Sequence, residues 1–340
     1  MSRYAQAHEN TKGPGDARPT ALQIIDDEGL TGKLSDKVFL VTGVSSGIGI
    51  ETMRALYATG GHVFGTVRNV EKGQKVVDEI KANTQGGKIT LIEMDLESLA
   101  SIKKGAESFL KQSDKLNILI GNAGVMATPE GKTKDGFETQ FGTCHVSHFY
   151  LFQLLKDTLL KSSTPEFPSR VVSVSSIGHR AGGIRFDDCN FSKPGSYEPW
   201  TAYGQAKTAN IYFANELERR YGSKGLHATS LHPGGIFTGL MQHLDAEQTA
   251  GWSTPEILNY MKNPEQGAAT SIYAALSQEW ANKGGKYLSK IVEQGPWDPR
   301  DRSQPTSIDH DGYESWAYDE ENEKRLWKDS LKMTGLEDDQ

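Results

Sequence analysis

Between about residue 36 and residue 300, short apolar runs alternate with longer segments of helical periodicity. The runs are rich in Val, Ile and Leu on both faces, as strands are when helices cover both sides of a parallel sheet. We therefore predict an α/β fold: one doubly wound domain over residues 36–300, with a central parallel sheet of about seven strands and helices on both faces. The predicted strands are residues 38–42, 62–67, 88–94, 116–120, 170–175, 226–231 and 286–289.

Two stretches lie outside this alternation. Residues 1–35 form a polar extension with scattered Gly and Pro, which we expect to be ordered only where it touches the domain. Residues 301–340 form a C-terminal tail with a helical pattern around residues 320–332. Because apolar stripes on helices usually belong to a core, we expect this helix to dock on its own domain, and a partner-binding helix is the alternative. The stripe consists of Trp316, Tyr318, Leu326, Trp327 and Leu331.

Composition narrows the class of protein. The 340 residues are 36% hydrophobic and 24% charged, and the formal net charge is -7 with no basic stripe, so a nucleic-acid partner is not expected. No apolar run reaches the roughly 20 residues of a membrane-spanning helix, and the N-terminus lacks the apolar stretch of a secretory signal. We therefore expect a cytoplasmic monomer or homodimer that does not need a membrane. The histidines and the two cysteines, Cys144 and Cys189, show no metal-ligand or disulfide spacing, so no metal is expected.

The first predicted strand runs into a glycine-rich turn, and a helical pattern follows the turn. The sequence there is Thr42-Gly43-Val44-Ser45-Ser46-Gly47-Ile48-Gly49. Glycines at these positions let the backbone turn tightly and approach a pyrophosphate, and the helix N-terminus offers free N–H groups to the phosphates. Such a turn alone is weak evidence, but its place between a strand and a helix predicts the dinucleotide site of a Rossmann fold.

The end of the second predicted strand indicates which dinucleotide binds. NAD sites place an acidic residue here to hold the ribose 2′-OH, whereas NADP sites accommodate the 2′-phosphate with a basic residue. Arg68 holds this position, no acidic residue follows it before Glu71, and a guanidinium can form a forked pair with a phosphate. The sequence therefore predicts NADP, used as NADPH in reduction. A surface arginine at a strand end is the alternative.

Tyr203 and Lys207 lie four residues apart in a helical stretch, which places them on one face. Tyrosine has a reference pKa of about 10, so acid/base work near neutral pH needs a shift worth roughly 4 kcal/mol. An ammonium about 4 Å away supplies about that much at an effective dielectric near 20. The preceding strand ends in Val174-Ser175-Ser176, where a hydroxyl can hold a substrate oxygen toward the tyrosine. The spacing alone is common, and two unrelated helical residues are the alternative.

These elements occur together and in one order, and the combination resembles the short-chain dehydrogenase/reductase family over about residues 36–290. Residues 137–143 and 202–213 also resemble its retinol-dehydrogenase and WW-domain-oxidoreductase branch, and they are similar to tailoring reductases of natural-product pathways. The family-level motifs are the glycine turn, Asn122-Ala123-Gly124, Val174-Ser175-Ser176, Tyr203 with Lys207, and Pro233-Gly234 with Thr238.

The resemblance implies a role for each matching position. Ser176 would orient the substrate, Tyr203 would be the general acid/base, and Lys207 would bind the nicotinamide ribose and depress the tyrosine pKa. Tyr203 and Lys207 would thereby also contact the cofactor. The other cofactor positions would be Gly43, Ser45, Ser46, Gly47, Ile48 and Gly49 at the phosphates, Arg68 at the 2′-phosphate, Asp95 and Leu96 at the adenine, Asn122, Ala123 and Gly124 along the channel, and Pro233, Gly234 and Thr238 at the nicotinamide end.

One position departs from the family pattern. Cys144 stands where the resemblance implies an asparagine that positions a water in a proton relay to the lysine. A thiol forms weaker hydrogen bonds than an amide, so the substitution puts the relay in question but not the hydride transfer. A catalytic thiol is a further alternative, although no nearby helix N-terminus or fixed cation argues for a low thiol pKa.

The segment after the sixth strand, residues 239–266, is long and is expected to cover the substrate. Together with Trp200 it favours a bulky lipophilic ketone or alcohol over a small polar sugar, although packing alone explains many such side chains. The leading hypothesis is an NADP(H)-dependent carbonyl reductase or alcohol dehydrogenase. The alternatives are a non-redox isomerase, dehydratase or cyclase acting on a natural product, and a catalytically silent NADP-binding protein. The covering side chains are Met241, His243, Leu244, Trp252, Ile257, Leu258, Tyr260 and Met261.

Overall fold

A computed structural model gives the fold and describes residues 3–298 and 312–338. Eight strands form one sheet: β1 (Val38–Thr42), β2 (His62–Val67), β3 (Lys88–Glu93), β4 (Ile118–Gly121), β5 (Ser169–Val174), β6 (Leu226–Leu231), β7 (Lys286–Ser289) and β8 (Val292–Glu293). Their order across the sheet is β3-β2-β1-β4-β5-β6-β7-β8. All neighbouring pairs are parallel except β7 with β8. The predicted doubly wound α/β fold is confirmed, and the third, fourth and fifth strands differ from the prediction by only one or two residues at their ends.

The strand β8 extends the sheet beyond the seven strands that the sequence predicts. It follows β7 through a two-residue turn, in which Lys290 and Ile291 have positive φ angles of 51° and 64°. Turns of this kind usually contain Asn-Gly or Asp-Gly, so no ordinary turn signal marks this one in the sequence. Ile291 is buried in the core, and this packing offsets a backbone conformation that is unfavourable for a β-branched residue.

Helices cover both faces of the sheet. The N-terminal extension contains α1 (Ala21–Asp27), and the tail contains α12 (Glu320–Thr334). One continuous helix comprises α5 (Thr139–Phe141), a π-helical turn (Gly142–Val146) and α6 (Ser147–Ser162). The other α-helices of the described residues are α2 (Ile48–Ala58), α3 (Val70–Asn83), α4 (Leu99–Leu110), α7 (Pro199–Tyr221), α8 (Ala246–Gly251), α9 (Pro255–Tyr260), α10 (Pro264–Gly267) and α11 (Ala269–Leu276).

Side chains of β1 alternate between two cores, one on each face of the sheet. Phe39 and Val41 enter the core that α1, α2 and α11 cover, while Leu40 enters the core that α4, α6 and α7 cover. Every residue of β1 is buried, as expected for a strand covered on both faces. Burying each large apolar side chain is worth about 1.5–3 kcal/mol, and this packing fixes the strand ends from which the site is built.

Both terminal segments pack on the domain. In the extension, Ile24 and Ile25 of α1 are buried in the core shared with α2 and α11. In the tail, Trp327 and Leu331 of α12 join the core of α6 and α7, and the Trp327 ring lies 5.0 Å from that of Phe149. The predicted domain end at residue 300 falls within residues 299–311, outside the described part of the chain. No helix of residues 3–298 or 312–338 is long and apolar enough to cross a membrane.

Candidate active site

A cavity of about 750 Å³ lies at the carboxyl ends of the parallel strands. It spans the point between β1 and β4 where the strand order reverses, which is where ligands bind in such sheets. The structure brings the predicted cofactor and catalytic positions together in this one space. The predicted residues that line it are Gly43, Ser45, Ser46, Gly47, Ile48, Gly49, Arg68, Asp95, Leu96, Asn122, Ala123, Gly124, Ser176, Tyr203, Lys207, Pro233, Gly234 and Thr238.

The backbone of the turn between β1 and α2 requires glycine. Gly43 and Gly47 have positive φ angles of 72° and 59°, a conformation that favours glycine. A Cβ atom on Gly49 would lie 2.2 Å from the carbonyl oxygen of Gly43, so no side chain fits there. Gly47 is the N-cap of α2 and provides no side chain to cap its first N–H groups. The turn therefore fits the pyrophosphate of a dinucleotide.

Charged side chains of both signs surround the end of the cavity beside β2 and β3. The exposed guanidinium of Arg68 lies 3.6 Å from the carboxylate of Glu97, and Lys134 donates a hydrogen bond to the Asp95 carboxylate at 2.7 Å. Lys72, in the first turn of α3, also lines the cavity. The sequence argument missed Lys72 and Glu97. The place of Lys72 in the first turn of the helix that follows Arg68 could have indicated it. Glu97 follows the neighbouring strand β3 and carries no local signal.

Ser176, Tyr203 and Lys207 converge where β5 ends against α7. The Oγ of Ser176 accepts a hydrogen bond from the N–H of Gly178 at 3.0 Å. The ring of Tyr203 packs on Gly178, where an added Cβ would lie 2.5 Å from the ring and 3.3 Å from the Oγ of Ser176. The Lys207 Nζ lies 5.6 Å from the Tyr203 ring centroid and donates to the Val174 carbonyl at 3.0 Å. The predicted Tyr–Lys pair thus lies on one face of α7, beside the serine.

The electrostatic environment of Tyr203 differs from the sequence expectation. Burial raises the pKa of its hydroxyl above 10.0, and the Lys207 ammonium and the hydrogen bond with Ser176 oppose this increase only in part. The sequence argument considered the attraction of the lysine, which has the expected direction, but left out the desolvation of a buried phenol. The lowered pKa that it expects beside the oxidised nicotinamide stays a prediction. The phenol is therefore protonated near neutral pH, which is the form that a general acid needs.

The C-terminal tail contacts the backbone of the candidate serine through His179, which the sequence argument missed. The Nδ1 of His179 lies 2.6 Å from the Ser176 carbonyl oxygen, so this nitrogen must donate. Its Nε2 then accepts the N–H of Glu314 at 3.2 Å, and the Trp316 indole donates to the His179 carbonyl at 3.2 Å. Burial lowers the pKa of His179 to about 4, so the imidazole is neutral, as both hydrogen bonds require.

Cys144 lies in the π-helical turn between α5 and α6, a distortion that is frequent at functional sites. Its buried Sγ lies 3.5 Å from the carbonyl oxygen of Val125. A Cβ on Gly124 would lie 3.2 Å from this Sγ and 3.4 Å from the Lys207 Nζ, so the thiol and the ammonium flank the same glycine. Cys144 and Cys189 are both free thiols. Among the described residues, no three His, Cys, Asp or Glu side chains group as ligands of a metal ion.

His148 links the Cys144 backbone to the loop after β4. Its Nδ1 lies 2.9 Å from the Cys144 carbonyl oxygen and its Nε2 lies 2.8 Å from the Thr42 Oγ1. Because a carbonyl only accepts, Nδ1 carries the proton and Thr42 donates to Nε2. The Thr42 oxygen then accepts the N–H groups of Asn122 and Ala123, each at 3.0 Å. This buried chain of hydrogen bonds holds two predicted cofactor residues in place, and no motif in the sequence revealed it.

Apolar and aromatic side chains form the other end of the cavity. The Trp200 ring is stacked 5.9 Å from that of Trp252 and lies 6.1 Å from that of Tyr203. Leu244 packs against Tyr203, while Leu258 is 40% exposed and does not line the cavity. The predicted covering residues that do line it are Met241, Trp252, Ile257, Tyr260 and Met261. Further lining residues, which the sequence argument missed, are Met126, Ile177, Arg180, His232, Leu240 and Trp297.

A parallel α/β sheet with a glycine turn after β1, a serine just after β5, and a tyrosine and a lysine in α7 is typical of a dinucleotide-dependent oxidoreductase. The family model described as short chain dehydrogenase matches residues 37–249, more than half of the chain. The chain belongs to the short-chain dehydrogenase/reductase family, as its motifs predict.

Relatives of this chain include fungal and animal members of the family. It is 50% identical over 335 residues to the short-chain dehydrogenase/reductase prx1 of Penicillium roqueforti, covering 98% of this chain and 95% of that one. It is 36% identical over 304 residues to retinol dehydrogenase 13 of Homo sapiens, covering 88% and 85% of the two chains. A solved Pseudomonas aeruginosa RhlG/NADP active-site complex matches with a TM-score of 0.60 and 26% identity over 76% of this chain and 96% of that chain.

Proposed function

We propose that this protein is an NADPH-dependent reductase of bulky lipophilic carbonyl compounds, with alcohol oxidation as the reverse reaction. The observation that carries the proposal is the convergence of Ser176, Tyr203 and Lys207 between the glycine turn and the apolar end of one cavity. When bound, the cofactor would supply a hydride to the carbonyl carbon. Side chains of this protein do the rest: they bind the carbonyl oxygen and supply the proton.

The hydroxyl groups act on the carbonyl oxygen. Negative charge grows on this oxygen as the hydride arrives, and hydrogen bonds from Ser176 and Tyr203 stabilise it. Tyr203 then gives its proton to the oxygen, which completes the alcohol product. The ammonium of Lys207 lowers the free-energy cost of the phenolate left on Tyr203. We assign Lys207 a second role as a donor to the nicotinamide ribose.

We propose the cofactor positions that the sequence predicts and add Lys72 to them. Cations at Arg68 and Lys72 support NADP over NAD, because both line the end of the cavity where an adenosine 2′-phosphate would lie. The RhlG/NADP complex, which shares the fold, supports the binding of a nicotinamide dinucleotide. We propose that the glycine turn binds the pyrophosphate, that Asp95 and Leu96 flank the adenine, and that Asn122, Ala123, Gly124, Pro233, Gly234 and Thr238 contact the nicotinamide half.

The substrate proposal rests on the apolar end of the cavity. The acidic side chains among the described lining residues, Asp95 and Glu97, follow β3, whereas the aromatic cluster of Trp200, Tyr203 and Trp252 forms at α7 and the covering segment. A lipophilic ketone or secondary alcohol of a natural-product pathway fits this distribution. Comparing metabolites in a strain that lacks the protein with its parent would identify it. The cytoplasmic location, the monomeric or homodimeric state and the domain boundaries stay predictions.

The test is NADPH oxidation by the purified protein with a panel of lipophilic ketones. Tyr203→Phe should slow turnover by about 10²–10⁴-fold, because a positioned proton donor is lost, and leave NADPH affinity nearly unchanged. Lys207→Ala should lower turnover and NADPH affinity together, because the ammonium serves both partners. Tyr150→Phe, a buried tyrosine outside the cavity, is the matched control.

Parent-level turnover by Tyr203→Phe would contradict the redox mechanism. Conversion of a substrate without net consumption of NADPH would instead favour a non-redox isomerase, dehydratase or cyclase.

A further inference from the structure

The N-terminal extension contacts the segment that covers the substrate. Residues 13–20, here called the strap, precede α1 and contain Arg18, whose side chain is 1% exposed. The guanidinium donates from Nη1 to the carbonyl oxygen of Tyr260 and from Nη2 to that of Met261, both at 2.6 Å. It also donates from Nε to the Asp16 carboxylate at 2.8 Å and from Nη2 to the Gly13 carbonyl at 3.1 Å. One buried side chain thus joins the strap to the end of α9.

Further hydrogen bonds connect the strap with the covering segment. The Gly13 N–H donates to the Asn259 carbonyl at 2.9 Å. Gln266, in α10, donates from Nε2 to the carbonyls of Asp16 and Arg18 at 3.1 and 3.0 Å and accepts the Gly15 N–H at 2.9 Å. The strap therefore supplies donors to carbonyl groups at and after the end of a short helix, which have no partner within the helix.

The opposite side of this helix end forms part of the cavity. Tyr260 and Met261 line it, and the Tyr260 hydroxyl lies 3.0 Å from the Nε2 of His232. The next residue, Lys262, donates from Nζ to the Pro233 carbonyl at 3.1 Å and from its backbone N–H to the Gly235 carbonyl at 2.8 Å. Residues 260–262 thus lie between the strap and the loop that carries the nicotinamide-end positions.

We propose that Arg18 is a positioning residue for the substrate: it holds the Tyr260–Met261 wall and the covering segment in place, so that the N-terminal extension contributes to the selection of bulky substrates. The proposal rests on the proposed function for the nature of the substrate, but the contact with the covering segment does not depend on it. Because the guanidinium donates to the carbonyls of two successive residues, Arg18 restrains the orientation of the cavity wall as well as its distance from the strap.

The test compares three variants in the full-length protein. Arg18→Met removes all hydrogen-bond donors and keeps a long side chain. Arg18→Lys keeps the positive charge but loses the planar guanidinium that donates to two successive carbonyls. Arg3→Met is the matched control, because Arg3 lies in the same extension, is 47% exposed and pairs with Glu28 on the surface. The measurements are amide hydrogen exchange with saturating NADPH, the dissociation constant of NADPH, and kcat and KM for a bulky ketone.

Arg18→Met should raise exchange in α8 and α9 by about tenfold or more while exchange in β1 and β4 stays at the parent rate. The KM for the ketone should rise by about tenfold, with a smaller change in kcat and in NADPH affinity. Arg18→Lys should give a smaller change in the same direction, and Arg3→Met should match the parent.

The proposal would be overturned if Arg18→Met left both the exchange in α8 and α9 and the KM at the parent values. It would also be overturned if Arg18→Lys matched the parent in both measurements. An increase in exchange spread equally over β1, β4 and the covering segment would also overturn it, since it would show a general anchor of the fold. If the parent itself oxidises NADPH with none of the ketones, the proposed function fails. The exchange measurement then still decides whether Arg18 holds the covering segment.

Discussion

Arg68 and Glu97 meet at the end of the cavity beside β2. We predict that their opposite charges determine how strongly the 2′-phosphate of NADPH binds there. Arg68→Asp removes a donor and adds a negative charge, so the preference for NADPH over NADH should fall by about tenfold or more, or invert. Glu97→Gln should have the opposite effect, because its carboxylate lies 3.6 Å from the guanidinium and would repel a phosphate. Fluorescence titration with each reduced cofactor measures both preferences.

Arg325→Asp, a charge reversal of an exposed arginine on α12, serves as the control for this prediction. Equal affinities of the parent for NADH and NADPH would contradict the assignment of Arg68 to the 2′-phosphate.

Cys144 and Lys207 flank Gly124, and we predict that Cys144 is not a catalytic nucleophile. Its Sγ has the Val125 carbonyl as its hydrogen-bond partner at 3.5 Å and is buried. We predict that Cys144→Asn retains activity and that Cys144→Ser loses little, with Cys189→Ser as the control. Steady-state kinetics on folded variants decide this. A loss of more than about a hundredfold in Cys144→Ser would favour a thiol mechanism.

Single residues were predictable where their chemistry depends on neighbours in the sequence. Tyr203 and Lys207 are one helical turn apart, and Arg68 directly follows a strand, so their positions could be inferred from spacing. The upward pKa shift of Tyr203 could not be inferred from spacing, because it depends on desolvation by the whole surrounding fold. Glu97 was missed for a related reason: only the pairing of β2 with β3 brings it to Arg68.

At the scale of elements, α12 covers an apolar face formed by α6 and α7. The Trp327 ring lies 5.0 Å from Phe149 and 6.2 Å from Phe213. Trp327→Ala should lower the free energy of unfolding by about 3–5 kcal/mol, the usual cost of removing a large buried aromatic side chain. Lys328→Ala, on the exposed side of the same helix, should change it little. Urea denaturation measures the difference, and equal midpoints for the two variants would show that α12 does not stabilise the domain.

Elements with a long periodic pattern could be predicted, and elements defined by distant contacts could not. The helical pattern of residues 320–332 located α12, and the apolar runs located the seven parallel strands. The strand β8 depends on a turn formed by Lys290 and Ile291, which are unusual residues for positive φ. The strap depends on a hydrogen bond between Arg18 and Tyr260, which are 242 residues apart in the sequence.

At the scale of the whole molecule, the fold buries imidazoles in the cores and around the site. Burial is the main cause that lowers each of their pKa values, to about 4 for most of them and to about 3 for His145. For His232 burial is again the first cause and holds the pKa well below 6.5. Several of these rings accept hydrogen bonds that protonation would break, as the Nε2 of His148 does from Thr42. The affected histidines are His8, His62, His145, His148, His179 and His232.

This burial predicts that the protein loses stability in mild acid. In the unfolded chain each imidazole titrates near its reference pKa of about 6.5, whereas in the folded protein it stays neutral down to about pH 4. Between these values the unfolded state binds more protons, so the free energy of unfolding must fall as the pH decreases from about 6.5 toward 4. Urea denaturation at pH 7.5, 6.0 and 5.0 measures this slope of stability with pH.

His148→Asn should reduce this slope even if it lowers stability at pH 7.5, while His243→Asn, at an exposed position, should leave it unchanged. A stability that stays constant from pH 7.5 to pH 5.0 would mean that the buried imidazoles accept protons without unfolding, against the hydrogen bonds described for His148 and His179.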